Sequence, residues 1–263
     1  MTIDVRSHNR DAWNLYVARG DRWTLPVDKE TVERARRGNW SIVLTPTKPV
    51  PRGWFGKLAG AQVLALASGG GQQGPVLSAA GAHVTVFDNS PKQLASDADV
   101  AKRSSLSLKT VEGDMRDLSA FPSATFDLVV HPCSNLFIPK LDAVWHECFR
   151  VLKPGGSLLT GFVQTFAMCL DEEAEKRGDL VLAHRAPYSD LKSRSAESLA
   201  ALVASGEPLT FGHTMEAQIG GQLAAGFVIT GYYDDTWGGT HALDGAAPAF
   251  GATRATKPPI PSL

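Results

Sequence analysis

The chain has 263 residues, 43% hydrophobic and 20% charged. That is enough apolar mass for one large α/β domain, with or without an attached cap, and it excludes wholesale disorder. The formal net charge of −1 argues against a dedicated nucleic-acid or membrane-surface binder. Residues 1–60 nevertheless carry 11 Lys/Arg against 6 Asp/Glu. Such a basic beginning reads either as a solvated face or as a bias towards an anionic ligand.

The three cysteines, Cys133, Cys148 and Cys169, are odd in number and lack C-x-x-C spacing, so neither a disulfide framework nor a structural zinc site is expected, and no metal. The beginning, MTIDVRSHNR, is polar and predicts no signal peptide. The most apolar stretch, 157–170, is broken by Gln164 and Thr165 and is too short to span a bilayer. The expectation is a soluble cytoplasmic protein without a membrane partner.

In chain order, residues 9–40 read as helical and aromatic-rich, with Trp13, Tyr16, Trp23 and Trp40. Residues 45–56 hold Pro46, Pro49, Pro51, Gly53 and Gly56 and predict a stiff connector. Alternation begins with a strand at 62–67 (QVLALA) that runs into a glycine turn. A helix follows at 73–80, a β-branched strand at 83–87, and a helix at 91–103 with proline in its first turn. Strands are predicted at 108–112, 126–131 and 157–163, with a helix at 141–152 before the last. This βαβ rhythm predicts a parallel sheet with helices on both faces. Residues 164–212 break the rhythm and read as an insertion near the substrate side, with a helix at 195–204. A helix at 213–225, capped by Thr214, and strands at 227–233 and 249–255 close the pattern. The expected division is a cap and connector over 1–58 and a body over 59–263.

The turn after the first strand reads Gly69-Gly70-Gly71-Gln72-Gln73-Gly74, which fits G-x-G-x-x-G. Asp88 ends the next strand, where a carboxylate can bind ribose hydroxyls. A triple glycine is entropically costly for a turn that one glycine could serve, which argues for a ligand. The loop alone does not separate NAD(P) from another adenosine ligand.

Three later motifs bear on that choice: Glu112-Gly113-Asp114-Met115, Phe126-Asp127-Leu128-Val129-Val130, and Arg150-Val151-Leu152-Lys153-Pro154-Gly155-Gly156. Together with the loop, in this order over roughly 60–165, they resemble the class I S-adenosylmethionine (SAM)-dependent methyltransferases, in particular the ubiquinone/menaquinone methyltransferase-like group. The resemblance implies a Rossmann-like seven-stranded sheet with an antiparallel end, SAM as cofactor, and methyl transfer. It places Ser68, Gly69 and Gly71 under the methionine part of SAM, Asp88 at the ribose, and Asp114 and Met115 at the adenine. His131 ends the strand that faces cofactor and substrate.

The chain departs from that pattern at Ala65, where an acidic residue is usual, and at Ala67, where the first loop glycine is usual. The missing carboxylate usually helps to position the methionine end. Gln72 and Gln73 are candidates to replace it, because amides can serve both an ammonium and a carboxylate.

His131 and Asn135 are the catalytic candidates. His131 is either a general base with a pKa near neutrality or a strand residue that offers only backbone. Asn135 is either a ligand contact or a turn former. Trp13 and Tyr16, three apart on a helix, can close over a substrate or pack against the body, and Tyr188 is a further substrate candidate. No nucleic-acid module is seen, so the expected acceptor is a small molecule, and the oligomeric state stays open. The rivals are a SAM enzyme that releases methylthioadenosine by cyclisation or aminocarboxypropyl transfer, an NAD(P) oxidoreductase, and a SAM-binding regulator.

Overall fold

The computed structural model describes residues 3–259. Helix α1 (Val5–Arg19) starts under an Asp4 cap and stops at Gly20, whose left-handed φ of 70° ends it. Helix α2 (Lys29–Arg36) is capped by Asp28. Strand β1 (Gln62–Leu66), α3 (Gln73–Ala79), β2 (His83–Asp88), α4 (Pro91–Arg103), β3 (Leu108–Glu112) and β4 (Phe126–His131) follow the predicted alternation closely. Then come α5 (Asp142–Val151), β5 (Leu152–Val163), the short α6 (Glu172–Lys176) and α7 (Asp190–Ser193), α8 (Ala196–Ser205), α9 (Gly221–Ala224), β6 (Val228–Asp235) and β7 (Phe250–Thr256).

The seven strands form one sheet in the order β3-β2-β1-β4-β5-β7-β6. The first five are parallel, and β7 runs antiparallel to both β5 and β6. This is the expected Rossmann-like sheet with an antiparallel end. The order reverses between β1 and β4, which opens a crevice at their C-terminal ends.

Strand alternation divides the core. Val63 and Ala65 of β1 face one apolar layer, with Val76 and Leu77 of α3. Leu64 and Leu66 face the other, with Val144, Trp145 and Val151 of α5. Ala35, Ile42, Leu44, Val50, Phe55 and Leu58 belong to the first layer. The second half of the expected cap and connector is therefore a wall of the main core.

Two elements differ from expectation. Strand β5 begins five residues earlier than 157, because the Pro154-Gly155-Gly156 turn is taken up as a bulge against β4. Gly155 has φ 80°, and its N–H donates to Lys257 O at 2.9 Å. The predicted helix at 213–225 is a π-helical turn over Glu216–Gly220 followed by α9. The Trp145 indole N–H donates to Ala217 O at 2.8 Å, taking the carbonyl that an α-helix would bond to Gly221. A Cβ on Gly221 would stand 2.5 Å from that indole, so only glycine lets the turn lie there.

Candidate functional site

A cavity of about 260 Å³ opens at the C-terminal ends of β1, β2 and β4. Its floor is the turn after β1. Ala67 holds φ 45°, a left-handed conformation costly for a residue with a Cβ, and donates to Phe87 O at 2.7 Å. Gly69 lies bare against the cavity wall. A Cβ there would stand 2.7 Å from Gln93 Cβ and 3.1 Å from the Asp88 carboxyl. Gly70 and Gly71 have φ 108° and 74°, which explains the glycine run.

Asp88 lines the cavity beside this loop. Its Oδ2 accepts from Gly69 N–H and its Oδ1 from Ser90 N–H, each at 2.9 Å. Burial raises its pKa, while those amides pull it down. Two lone-pair positions remain for a ligand, since a carboxylate offers about four. Asp114 and Met115 line the adjoining wall. Burial favours the protonated Asp114, but hydrogen bonds from Arg116 outweigh it and hold the carboxyl below its ordinary pKa. The Arg116 guanidinium meets this carboxylate at 3.0 Å through Nε, and Arg6 approaches it at 3.8 Å.

Helix α1 roofs the cavity from one side to the other. On the α4 side, Asn14 accepts from Ser90 Oγ at 2.8 Å, and Asn89 donates to Arg6 O at 2.9 Å. On the other side, the buried Asn9 donates to Phe137 O at 2.9 Å and Leu209 O at 3.0 Å. It also accepts from Leu209 N–H at 2.8 Å. One amide thus ties α1, the loop after β4 and the end of the insertion together. Trp13 on the inner face stands edge-on to Phe137 at 5.0 Å, and both line the cavity.

The far end of the cavity has a different chemistry. Its walls are Thr45, Pro46, Cys133, Val163, Trp237 and Phe250. Trp237 and Phe250 meet edge to face at 4.6 Å. The Arg22 guanidinium lies 4.2 Å from the Trp23 ring and 5.9 Å from the Trp237 ring, bridging the N-terminal segment to the β6–β7 connection. Burial raises the pKa of Cys133 far above neutrality, so its thiol stays protonated.

The candidates read from the sequence separate into two groups. Ser68, Gly69, Gln73, Asp88, Asp114, Met115 and Trp13 line the cavity. Gly71, His131, Asn135, Tyr16 and Tyr188 do not. Gly71 is covered by the N-terminal segment, with Pro26 Cβ 2.7 Å from where its own Cβ would stand and Val27 N–H on its carbonyl.

His131 is fully buried, with Nδ1 at 2.9 Å from Leu66 O and Nε2 at 2.7 Å from Asn135 Oδ1. Burial lowers its pKa, which keeps the ring neutral. Asn135 reaches on to Gln218 at 2.9 Å, and the chain ends with Thr253 bonded to Gln222. This is a polar network inside the core, and neither side chain lines the cavity. Tyr16 turns outward and donates to Glu207. Tyr188 is buried against Asp190 at 2.6 Å.

Gln72 and Gln73 both line the cavity, with their amide nitrogens engaged by backbone carbonyls. Gln72 donates to Trp23 O and Leu25 O, at 3.3 and 3.0 Å. Gln73 accepts from Ser68 Oγ at 3.2 Å. Arg6, Asn9, Trp23, Trp237 and Phe250 were not singled out as site residues from the sequence. The aromatic content of 9–40 signalled Trp23, but nothing in the sequence joins Trp237 or Phe250 to the glycine loop.

Among the described residues, no helix is long and apolar enough to cross a membrane. No group of three or more His, Cys, Asp or Glu among them gathers to hold a metal ion.

A family model described as a methyltransferase domain matches residues 64–160. The chain is 46% identical over 251 residues to the uncharacterized methyltransferase YbaJ of Bacillus subtilis, across 95% of this chain and 98% of that one. Among solved structures it resembles an S-adenosylmethionine dependent methyltransferase from Mesorhizobium loti, with TM-score 0.60 and 16% identity over 78% of this chain and 94% of that one. It also resembles a putative S-adenosylmethionine dependent methyltransferase from Listeria monocytogenes, with TM-score 0.62 and 18% identity over the same shares. At such identities the structural likeness speaks for the fold.

Proposed function

The chain belongs to the class I SAM-dependent methyltransferases, and from that premise we propose that it methylates a small, uncharged, largely apolar acceptor enclosed in the cavity. The observation that carries this reading is the far wall. From Thr45 round to Phe250 it presents apolar and aromatic surface, and its one ionisable group is the protonated Cys133. The nearest charges, Arg22 beside Trp237 and Asp235 near Cys133, do not line the cavity, so a charged acceptor would lose its hydration there without direct contact to a counter-charge.

The near half of the cavity fits the cofactor. Gly69 is bare where a Cβ would collide, and Asp88 keeps acceptor capacity for ribose hydroxyls. Asp114 and Met115, which the resemblance assigns to adenine, line the same cavity. When bound, SAM supplies an electrophilic methyl group on a sulfonium. The protein's own part is alignment and exclusion of water. Trp13, Phe137, Trp23 and Trp237 wall the space, and Arg22 holds its two sides together. His131 is sealed in the core, and Asp114 is held by Arg116. No group in the far half serves as a general base, so the acceptor is a neutral nucleophile that needs no prior deprotonation: an unprotonated aromatic amine, a thioether sulfur, or an electron-rich carbon, with any proton released after transfer passing to solvent.

The test is a panel of small thioethers, aromatic amines and electron-rich alkenes, each with and without a charged substituent, incubated with SAM. S-adenosylhomocysteine (SAH) forms with the neutral apolar members, and Trp237→Ala raises KM several-fold for them. Preference for the charged analogues would overturn the reading of the far wall.

A further inference from the structure

Helix α4 buries Gln93, Leu94, Asp97, Val100 and Ala101 against the sheet. Asp97 is a carboxylate on an otherwise largely apolar stripe, and it is fully buried. Its Oδ2 accepts from the Gly70 N–H at 2.9 Å. Its Oδ1 is buried without a hydrogen-bond partner. One residue earlier in the loop, Gly69 N–H donates to Asp88 at 2.9 Å. Two carboxylates from two elements therefore hold successive amides of one turn.

Asp97 presses on the neighbouring helix as well. A Cβ on Gly74 would lie 3.2 Å from Asp97 Oδ1. The side chain is thus confined between α3, the loop and its own helix. A buried carboxylate with no cationic partner costs folding free energy, and here it is retained directly under the loop.

We propose that Asp97 is a positioning residue for the cofactor: from α4 it fixes the Gly70 amide and so sets the glycine loop, standing in for the carboxylate that β1 lacks at Ala65. The proposal rests on the loop holding SAM. The amide nitrogens of Gln72 and Gln73 are engaged by backbone carbonyls, and two side-chain carboxylates reach the turn: Asp88 at Gly69, and Asp97 at Gly70, whose N–H it shares with Gln93 O at 2.9 and 3.2 Å. Asp97 lies outside the cavity lining, so it acts on the ligand through the backbone of the loop.

Ionisation connects this geometry to a measurement. Burial, and then the Asp88 carboxylate, raise the Asp97 pKa to about 7 against the pull of the Gly70 and Gly71 amides. Of the elements packed around it, α3 carries no ionisable side chain and β2 brings Asp88. The other charges of α4 (Lys92, Asp99, Lys102, Arg103) and those of β3 (Lys109, Glu112) are exposed. In the segment over Gly71, Arg22 and Asp28 are exposed and Asp21 is partly so. His83 at the start of β2 is exposed too. A carboxylate holds an amide more strongly than its protonated form does, so ionisation of Asp97 and ligand binding reinforce each other.

The experiment is calorimetric titration of SAH into the wild type and Asp97→Asn from about pH 6 to about pH 8.5, spanning the ordinary histidine range. The ratio of the two affinities at each pH cancels the ligand's own titration. The wild type binds about tenfold more tightly at the alkaline end, and the advantage shrinks towards the acid end as Asp97 protonates. Asp97→Ala, which has nothing to titrate and no donor to turn on the amide, replaces the asparagine variant if that one does not fold. A ratio of one throughout, or a deficit that stays constant with pH in a folded variant, overturns the proposal. A wild type that does not bind SAH fails the cofactor reading itself, which separates the two failures.

Discussion

Asn9 is the tie that keeps α1 over the cavity, and its removal has a calculable cost. The side chain is 4% exposed and makes three hydrogen bonds, two as donor and one as acceptor, to backbone groups of Phe137 and Leu209. Asn9→Ala leaves those three groups without partners. A net hydrogen bond is worth about 0.5–1.5 kcal/mol, and water from the adjoining cavity can reach part of the gap, so the expected loss is about 2–3 kcal/mol. For a chain of this length that corresponds to a fall of about 5–10 °C in Tm. Asn9→Asp should cost more than alanine, because an acceptor-only carboxylate would face two carbonyl oxygens. Urea unfolding and a thermal scan give the stability change, and hydrogen exchange reports α1. Amides of Val5–Arg19 should exchange faster than in the wild type while those of β1 and β4 keep their protection. Turnover should drop further than the loss of folded protein explains, since the roof that excludes water is loosened. A variant with a stability change under about 0.5 kcal/mol and unaltered α1 exchange would refute the reasoning, because surface-like sites give changes of that size.

Three other outcomes follow from the same geometry. Asp88→Ala should weaken SAH binding by at least about tenfold in calorimetry while His131→Ala, whose ring never reaches the cavity, lowers Tm and leaves the affinity of the folded fraction nearly unchanged. Ala67→Gly relieves a left-handed φ of 45° but frees the unfolded chain, so its unfolding free energy should stay within about 1 kcal/mol of wild type, whereas Ala67→Val should lose about 1–3 kcal/mol. Asp114 is held below its unfolded value of 3.8, so its contribution is present above that pH and disappears as the pH falls through the folded pKa. Asp114→Asn should therefore destabilise the protein above pH 3.8 and lose that deficit in stronger acid, as read by unfolding midpoints.

The parallel half of the fold was legible because its signals are local. Ser90 caps and Pro91 opens α4, and the β-branched runs of β2, β3 and β4 stop at Asp88, Glu112 and His131. The corner of the cavity where Gly69 meets Asp88 was legible for the same reason, since the two belong to consecutive turns of one βαβ unit. What failed depends on distant partners. His131 ends a strand as a cavity residue would, yet Asn135 and Gln218 close over its ring, and Gln218 arrives from a π-turn fixed by Trp145. Tyr16 shares a helix with Trp13, but a turn of the helix points it at Glu207 instead of the cavity. Trp237 and Phe250 join the site only because β6 and β7 fold back beside β5. Asp97 carried a signal that periodicity exposes, an acid on the buried stripe with Leu94 and Val100.

The most direct test of the central claim is mass spectrometry of the products formed from SAM bearing a deuterated methyl group, with the purified protein and a neutral apolar acceptor. Methyl transfer predicts unlabelled SAH together with an acceptor heavier by one deuterated methyl. Labelled methylthioadenosine and an unchanged acceptor would contradict it, because the deuterated methyl would then have stayed on sulfur.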